Sequence, residues 1–252
     1  MLSVEGLEKN YRGKAVLAGI DLTVGAGKII GLVGTSGAGK STVARCISGL
    51  ERPSGGVIRW DGGRLGGSRS RRQRREIQTV FQDPRASLNP RWTVRRSLRE
   101  PLDTWFTDRP RSDRDAAAAS LLEQVGLGGD YLERFPHELS TGQCQRICIA
   151  RALAPEPRLL LLDEPLSALD LPAQAQMLDL LRELKSVRDL SYLFISHDIV
   201  VVSLLCDEVA VLEHGRIVEH VAAGTLLTAS AHPHTRALIA DTPILPRRGA
   251  DS

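Results

Sequence analysis

Residues 34–42 read Gly34-Thr35-Ser36-Gly37-Ala38-Gly39-Lys40-Ser41-Thr42 and fit the pattern GxxxxGK[ST], which builds a loop for the phosphates of a nucleoside triphosphate. The glycines let the backbone curl so that successive amides point inward, and a helix starting near Lys40 aims its positive end at the same spot. Lys40 adds a mobile positive charge for the outer phosphates. Ser41 offers a hydroxyl to Mg2+, and Thr42 a hydrogen bond to a phosphate oxygen. Read alone, the segment is also compatible with a glycine-rich turn ahead of a helix. A second group answers it downstream, where Leu159-Leu160-Leu161-Leu162 runs into Asp163-Glu164. Asp163 is placed to orient Mg2+ through water, and Glu164 to polarise the water that attacks a terminal phosphate. An isolated Asp-Glu pair is ordinarily a solvated strand end; following a phosphate loop, it reads as its chemical complement.

Such groups need a sheet to hold them. Residues 29–33 are an apolar strand entering the loop, and 158–163 suit a central parallel strand covered on both faces, with the carboxylates at its ligand-binding end. Short alternating runs at 2–8 and 16–24 predict strands of a partly exposed sheet, and 57–60 and 77–81 two more, joined by a Gly/Arg-rich link. From 83 to 151 the period becomes helical, notably at 115–125 and 142–153, interrupted by Pro84, Pro90, Pro101, Pro110 and Pro136. This predicts a mainly helical subdomain inserted into the sheet. Alternation resumes with a helix over 172–187, a strand over 192–196, a short helix to Cys206, and strands at 209–212 and 216–218. The tail, with Pro233, Pro243 and Pro246, predicts one helix and a frayed end.

The 252 residues, 42% hydrophobic, suffice for a substantial core in one domain with an insertion. The net charge of +3 falls short of the basicity expected of a nucleic-acid binder. Arg64, Arg69, Arg71, Arg72, Arg74 and Arg75 cluster, with Arg91, Arg95, Arg96 and Arg99 beyond. Lacking an accompanying aromatic platform, they read as a solvated or protein-docking face and not as a nucleic-acid site. The N-terminus carries no secretion or import signal, and the best apolar run, 199–206, is far below the roughly 18 residues needed to cross a bilayer. Cys46, Cys144, Cys148 and Cys206 form no CxxC pair and fit packed thiols in the cytosol.

Leu139-Ser140-Thr141-Gly142-Gln143, just ahead of a predicted helix, places a serine hydroxyl, small residues and free amides at a helix start, which makes either an anion site or an ordinary Ser140 cap. With this segment lying between the phosphate loop and Asp163-Glu164, the chain resembles the ATP-binding cassette (ABC) ATPases. The resemblance implies an α/β fold: a P-loop NTPase (RecA-like) core, residues 1–84 and 152–222, with an N-terminal antiparallel β subdomain, an inserted helical subdomain at 85–151, and a short tail at 223–252. It implies that Ser140, Thr141, Gly142 and Gln143 contact the terminal phosphate held by the opposite subunit's loop; Thr141 departs from the usual glycine. It further implies that Tyr11 stacks on adenine and that Gln82 joins the core to the helical insertion and reaches the metal. Asp170 would cross the dimer interface, and His197 would contact the terminal phosphate beside Lys40 and Glu164. Singly, each of these four has an ordinary alternative as a surface aromatic, loop amide, helix cap or strand-end histidine.

Within that superfamily the nearest likeness is to ATPases of peptide and nickel importers, on VFQDPRASLNPRWTV at 80–94, FPHELSTGQCQ at 135–145 and AHPHTRALIA at 231–240, where His234 replaces a tyrosine. It implies an ATP- and Mg2+-dependent ATPase energising uptake of peptides, nickel or a metal chelate at the cytoplasmic face of the inner membrane. The partners implied are a second, different cassette subunit, two permeases and, through them, an extracytoplasmic solute-binding protein, with no nucleic acid. The clustered cysteines of longer relatives, thought to hold an iron-sulfur centre, are not found in this sequence. His214, His220, His232 and His234 are not read as a nickel site, because the tail motif explains His232 and no acidic or thiol partner stands beside it. The rival readings are a soluble cassette ATPase acting on nucleic acid or ribosomes, an exporter, and a P-loop kinase for a small molecule.

Overall fold

The computed structural model describes residues 1–66 and 69–241. The chain opens on an antiparallel hairpin, β1 (Leu2–Tyr11) and β2 (Lys14–Val24), with Leu2 and Val4 buried while Ser3 and Glu5 face outward. Next come β3 (Ile29–Val33), α1 (Lys40–Ser48), β4 (Gly55–Trp60) and β5 (Gly63–Arg64), and then α2 (Arg71–Glu76) and β6 (Ile77–Val80). Four helices follow: α3 (Pro84–Ser87), α4 (Val94–Trp105), α5 (Arg111–Gln124) and α6 (Thr141–Leu153). The chain returns through β7 (Leu159–Asp163), α7 (Leu171–Arg188), β8 (Ser191–Ser196), α8 (Ile199–Leu205), β9 (Glu208–Glu213) and β10 (Arg216–Ala222). It then runs into α9 (Ala223–Ala229) and α10 (Pro233–Ala240).

Two sheets result. The first is antiparallel, in the order β2-β1-β4-β5; the second runs β10-β9-β3-β8-β7-β6, parallel from β9 to β6 with β10 antiparallel at its edge. The consecutive leucines of β7 divide by the two-residue period of a strand. Leu160 and Leu162 join Tyr192 and Phe194 on the face covered by α4 to α8, whereas Leu159 and Leu161 join Leu193 and Ile195 against α1 and the first sheet. Both faces are thereby dry, and the carboxyl ends of β3, β7 and β8 emerge along one rim, carrying residue 34 onward, Asp163-Glu164 and His197.

Three local expectations are corrected. The Gly/Arg-rich link contains a helix, α2, started by a reciprocal capping box between Ser70 and Gln73. Pro101 does not interrupt the helical region but sits inside α4; the cost of a mid-helix proline, about 3 kcal/mol, is offset by a stripe of Val94, Leu98 and Leu102, each at most 3% exposed. The tail holds two helices where one was expected, because Pro233 takes the first turn of α10 and so restarts the helix after Ser230. Pro243 and Pro246 lie outside the described residues.

The arginine cluster is not a uniformly solvated face. Arg69 is buried, its Nη2 donating to the Cys46 carbonyl at the end of α1. Arg71 lies over Trp105, and Arg75 and Arg109 lie over Phe106 while both pair with Glu156. Aromatic rings thus accompany the run, contributed by the end of α4, and these arginines tie α2 to the helical region. Beyond them, Arg95 pairs with Glu133, and the Val94 and Arg95 amides donate to the Arg134 and Leu132 carbonyls, which fixes the start of α4 to the 129–134 segment.

Candidate nucleotide site

Gly39 carries the conformational demand of the phosphate loop. Its φ is 111°, and a β-carbon there would stand 2.8 Å from Leu17 Cδ2, so no other residue fits the step into α1. Lys40 is buried, its ammonium donating to the carbonyls of Gly34 and Thr35 at 2.9 and 3.1 Å, which ties the side chain back across the loop it belongs to. Thr35 also accepts from the Ala38 amide at 3.2 Å. Ser36, Gly37 and Thr42 complete the loop and the first turn of α1, Ser36 and Gly37 being exposed.

Ser41 Oγ donates to Asp163 Oδ1 at 2.9 Å. Burial pushes the Asp163 carboxyl up; the Ser41 hydrogen bond pulls it down and the adjacent Glu164 charge pushes it up again, leaving it above the ordinary carboxylate range. A divalent cation between Ser41 and Asp163 relieves that penalty, so these two oxygens fit a Mg2+ position.

Glu164 is the meeting point. It adopts a left-handed backbone, φ 48°, held by its amide donating to the Ile195 carbonyl at 3.0 Å. A non-glycine residue there costs on the order of 1–3 kcal/mol and persists where the surroundings over-determine it. The turn swings the carboxylate away from the line of β7. Its Oε1 lies 3.6 Å from Lys40 Nζ, while Oε2 lies 3.2 Å from His197 Nδ1 and accepts from Gln82 Nε2 at 3.2 Å. The Glu164 side chain is only 14% exposed, whereas His197 remains 58% exposed. Residues from three other stretches of sequence therefore converge on one carboxylate.

Other residues of interest lie elsewhere. Ser140 caps α6, accepting from the Gln143 amide at 3.2 Å while Gln143 Oε1 accepts from the Ser140 amide at 2.9 Å; Gln143 Nε2 donates to Tyr131 Oη at 3.0 Å. A β-carbon on Gly142 would make only ordinary contacts with Leu169 and Ala173, and Thr141 shares a cleft with Gln82, Ser167 and Ala168. None of these contacts reaches residues 34–42. Asp170 is the N-cap of α7, accepting from the Ala173 amide at 2.9 Å. Tyr11 ends β1 beneath the Lys9 ammonium, 4.6 Å from its ring centre, and burial with the Glu51 charge raises its phenol. Its neighbours are Lys9 and Glu51, not the loop.

Cys144 and Cys148 point to different carbonyls, of Pro136 and Pro84, and burial pushes the Cys148 thiol up to about 12. Two histidines do have acidic neighbours that the order of residues conceals: His220 Nε2 lies 3.0 Å from Glu208, and His234 Nδ1 3.1 Å from Glu213. The strained backbone of Glu164 and its contact with Gln82 also escaped sequence reasoning, since neither leaves a local pattern.

Residues 17–167 match the family model for the ABC transporter. A putative peptide import ATP-binding protein of Brucella ovis is 44% identical over 250 residues, covering 96% of this chain and 78% of the relative. The oligopeptide transport ATP-binding protein OppF of Salmonella typhimurium is 45% identical over 230 residues, covering 90% and 69%. Among solved structures, the dimeric post-hydrolysis state of the ATP-binding cassette MJ0796 bound to ADP and Pi superposes with a TM-score of 0.79 at 26% identity, covering 88% of this chain and 99% of that one. A phosphate loop, a carboxylate-ended central strand and a helical insertion, set on the scaffold these relatives share, place the chain: it belongs to the ABC transporter family, as an ATP-binding and ATP-hydrolysing cassette.

Proposed function

We propose that this cassette, residues 1–222, energises peptide uptake as the peripheral ATPase of an importer on the cytoplasmic face of the inner membrane. The observation that carries the reading is the convergence of Lys40, Gln82 and His197 on Glu164 at the rim of the parallel sheet. On this reading the amides of 34–42 and the Lys40 ammonium bind the outer phosphates, and Lys40 leaves its carbonyl tethers to do so. Ser41, Asp163 and Gln82 would hold Mg2+, which when bound would neutralise phosphate charge. Glu164 accepts a proton from the attacking water, and His197 fixes the carboxylate's orientation at the terminal phosphate. Tyr11 turns from Lys9 toward adenine.

Ser140, Thr141, Gly142 and Gln143 act on the nucleotide of a second cassette, and Asp170 reaches across the same seam. The dimeric state of the solved MJ0796 cassette supports that pairing. The peptide-import names of the relatives support peptide as cargo over nickel, and the assembly proposed is a distinct second cassette with two permeases. No helix among the described residues is long and apolar enough to cross a membrane, so the permeases supply the spans. A groove of about 950 Å³ runs from Ser41 and Asp163 past Gln82 to α4, and its outer walls, Phe81, Pro101 and Trp105, are where a permease segment docks. Extraction of the tagged chain from membranes in detergent tests this. Two membrane-spanning proteins and a second cassette are expected to copurify, with ATP turnover far above that of the isolated chain; full activity in the solitary chain overturns the reading.

A further inference from the structure

The turn between β9 and β10 is wedged against the phosphate loop. The Gly215 amide donates to the Ala38 carbonyl at 3.2 Å, and the Gly215 carbonyl accepts from the Ala18 amide of β2 at 2.9 Å. The approach is close enough to exclude side chains at both places: a β-carbon on Gly34 would run into the Leu212 carbonyl, and one on Gly215 into the Val16 carbonyl. The loop that grips phosphate is thus backed, at Gly34 and Ala38, by backbone from this turn.

The same turn is held from its other side by the tail. His234, in the first turn of α10, brings Nδ1 within 3.1 Å of Glu213 Oε1, an ion-pair distance, with the two side chains only 14% and 27% exposed. His234 Nε2 is buried without a hydrogen-bond partner among the described residues, so Glu213 is the polar contact that orients the ring. Glu219 of β10 accepts from the Ala231 amide at 2.7 Å, His232 caps α10, Thr235 is fully buried, and Leu238 and Ile239 pack on the main core. The tail is therefore built onto this hairpin.

We infer that α10 is a positioning element for the phosphate loop: the His234–Glu213 pair holds the β9–β10 turn where Gly215 supports Ala38, and so tunes nucleotide affinity from outside the nucleotide site. This rests on residues 34–42 binding nucleotide. The path is short: the close polar contact of His234 with Glu213, two residues of chain along the turn to Gly215, and one backbone hydrogen bond across to Ala38.

The test is titration of the full chain with a fluorescent ATP analogue, each protein held well below its own melting midpoint. His234→Ala and Glu213→Ala are each expected to weaken binding roughly three- to tenfold, the double variant no further than the weaker single one, because both break one link. His234→Gln, whose amide can donate to a carboxylate from the same position, is expected to restore affinity to within about twofold. Wild-type affinity in both alanine variants, additive losses in the double, or failure of the glutamine to restore binding overturns the inference and leaves the tail a stabilising appendage. If the wild-type chain itself binds no analogue, the nucleotide reading falls first.

Discussion

Two stretches in this chain are built to meet a phosphate, and they are left in different states. Around Glu164, groups from the phosphate loop, the end of β6, the end of β7 and the end of β8 face one another across 3.2–3.6 Å. At 139–143, by contrast, the polar groups are spent on their own helix: Ser140 and Gln143 cap each other, and Gln143 reaches sideways to Tyr131. One region is assembled from distant segments; the other is a finished helix start, which on the proposed reading meets the phosphate of a second cassette. The contrast shows that convergence within one chain and a self-capped helix start are separate kinds of evidence, and the proposed shared site needs both.

The largest effect expected is at the assembled region. Glu164→Gln in the complete transporter should lower turnover by about 10²–10⁴-fold while ATP binding survives, measured as phosphate release beside an equilibrium titration. Near-normal hydrolysis would remove Glu164 from the chemistry. The second region should break differently. Ser140→Ala costs about 1 kcal/mol of stability through the lost cap, read as a lower melting midpoint, and should abolish most turnover in the assembled complex without changing ATP affinity of the isolated chain. Loss of affinity in the isolated chain would mean that the signature serves its own loop, and the contrast would collapse.

The smallest effect sharpens the comparison within the assembled region. Because the Asp163 carboxyl is held above its ordinary value, chiefly by burial, its contribution to stability is fully present below the unfolded-state value and is lost as pH rises through the folded one. Asp163→Asn should therefore melt no lower than the wild type at neutral pH without nucleotide, lack that decline with rising pH, and lose the extra stabilisation given by Mg2+ and ATP. Differential scanning calorimetry across pH, with and without nucleotide, decides it; a destabilised nucleotide-free variant contradicts the burial argument.

The parallel core was legible because strand periodicity and buried carboxyl ends are properties of short segments. Residues 29–33 and the leucines before Asp163 announced themselves, and the six-stranded sheet carries both. What escaped depended on partners distant in sequence. Pro101 looked like a break because its missing amide is a local fact, whereas the apolar stripe that outweighs it is a tertiary one. The arginines of 69–75 looked solvated because Trp105 and Phe106 reach them only once α4 has folded back. The Ser70–Gln73 box lies in a link read from its glycines and arginines alone, so the short helix it starts was missed. At the site, the capping bond of Asp170 is the ordinary alternative its sequence position allowed, but that Glu164 takes a left-handed turn follows only from the packed backbone.

The bond from Gln143 to Tyr131 has a mechanical corollary. Tyr131 belongs to the 129–134 segment whose carbonyls receive the first amides of α4, so the mouth of α6 and the head of α4 are spliced into one stiff strut. A push on the outer surface near residues 93–96 is therefore expected to be felt at Tyr131 and, through Gln143, at Ser140.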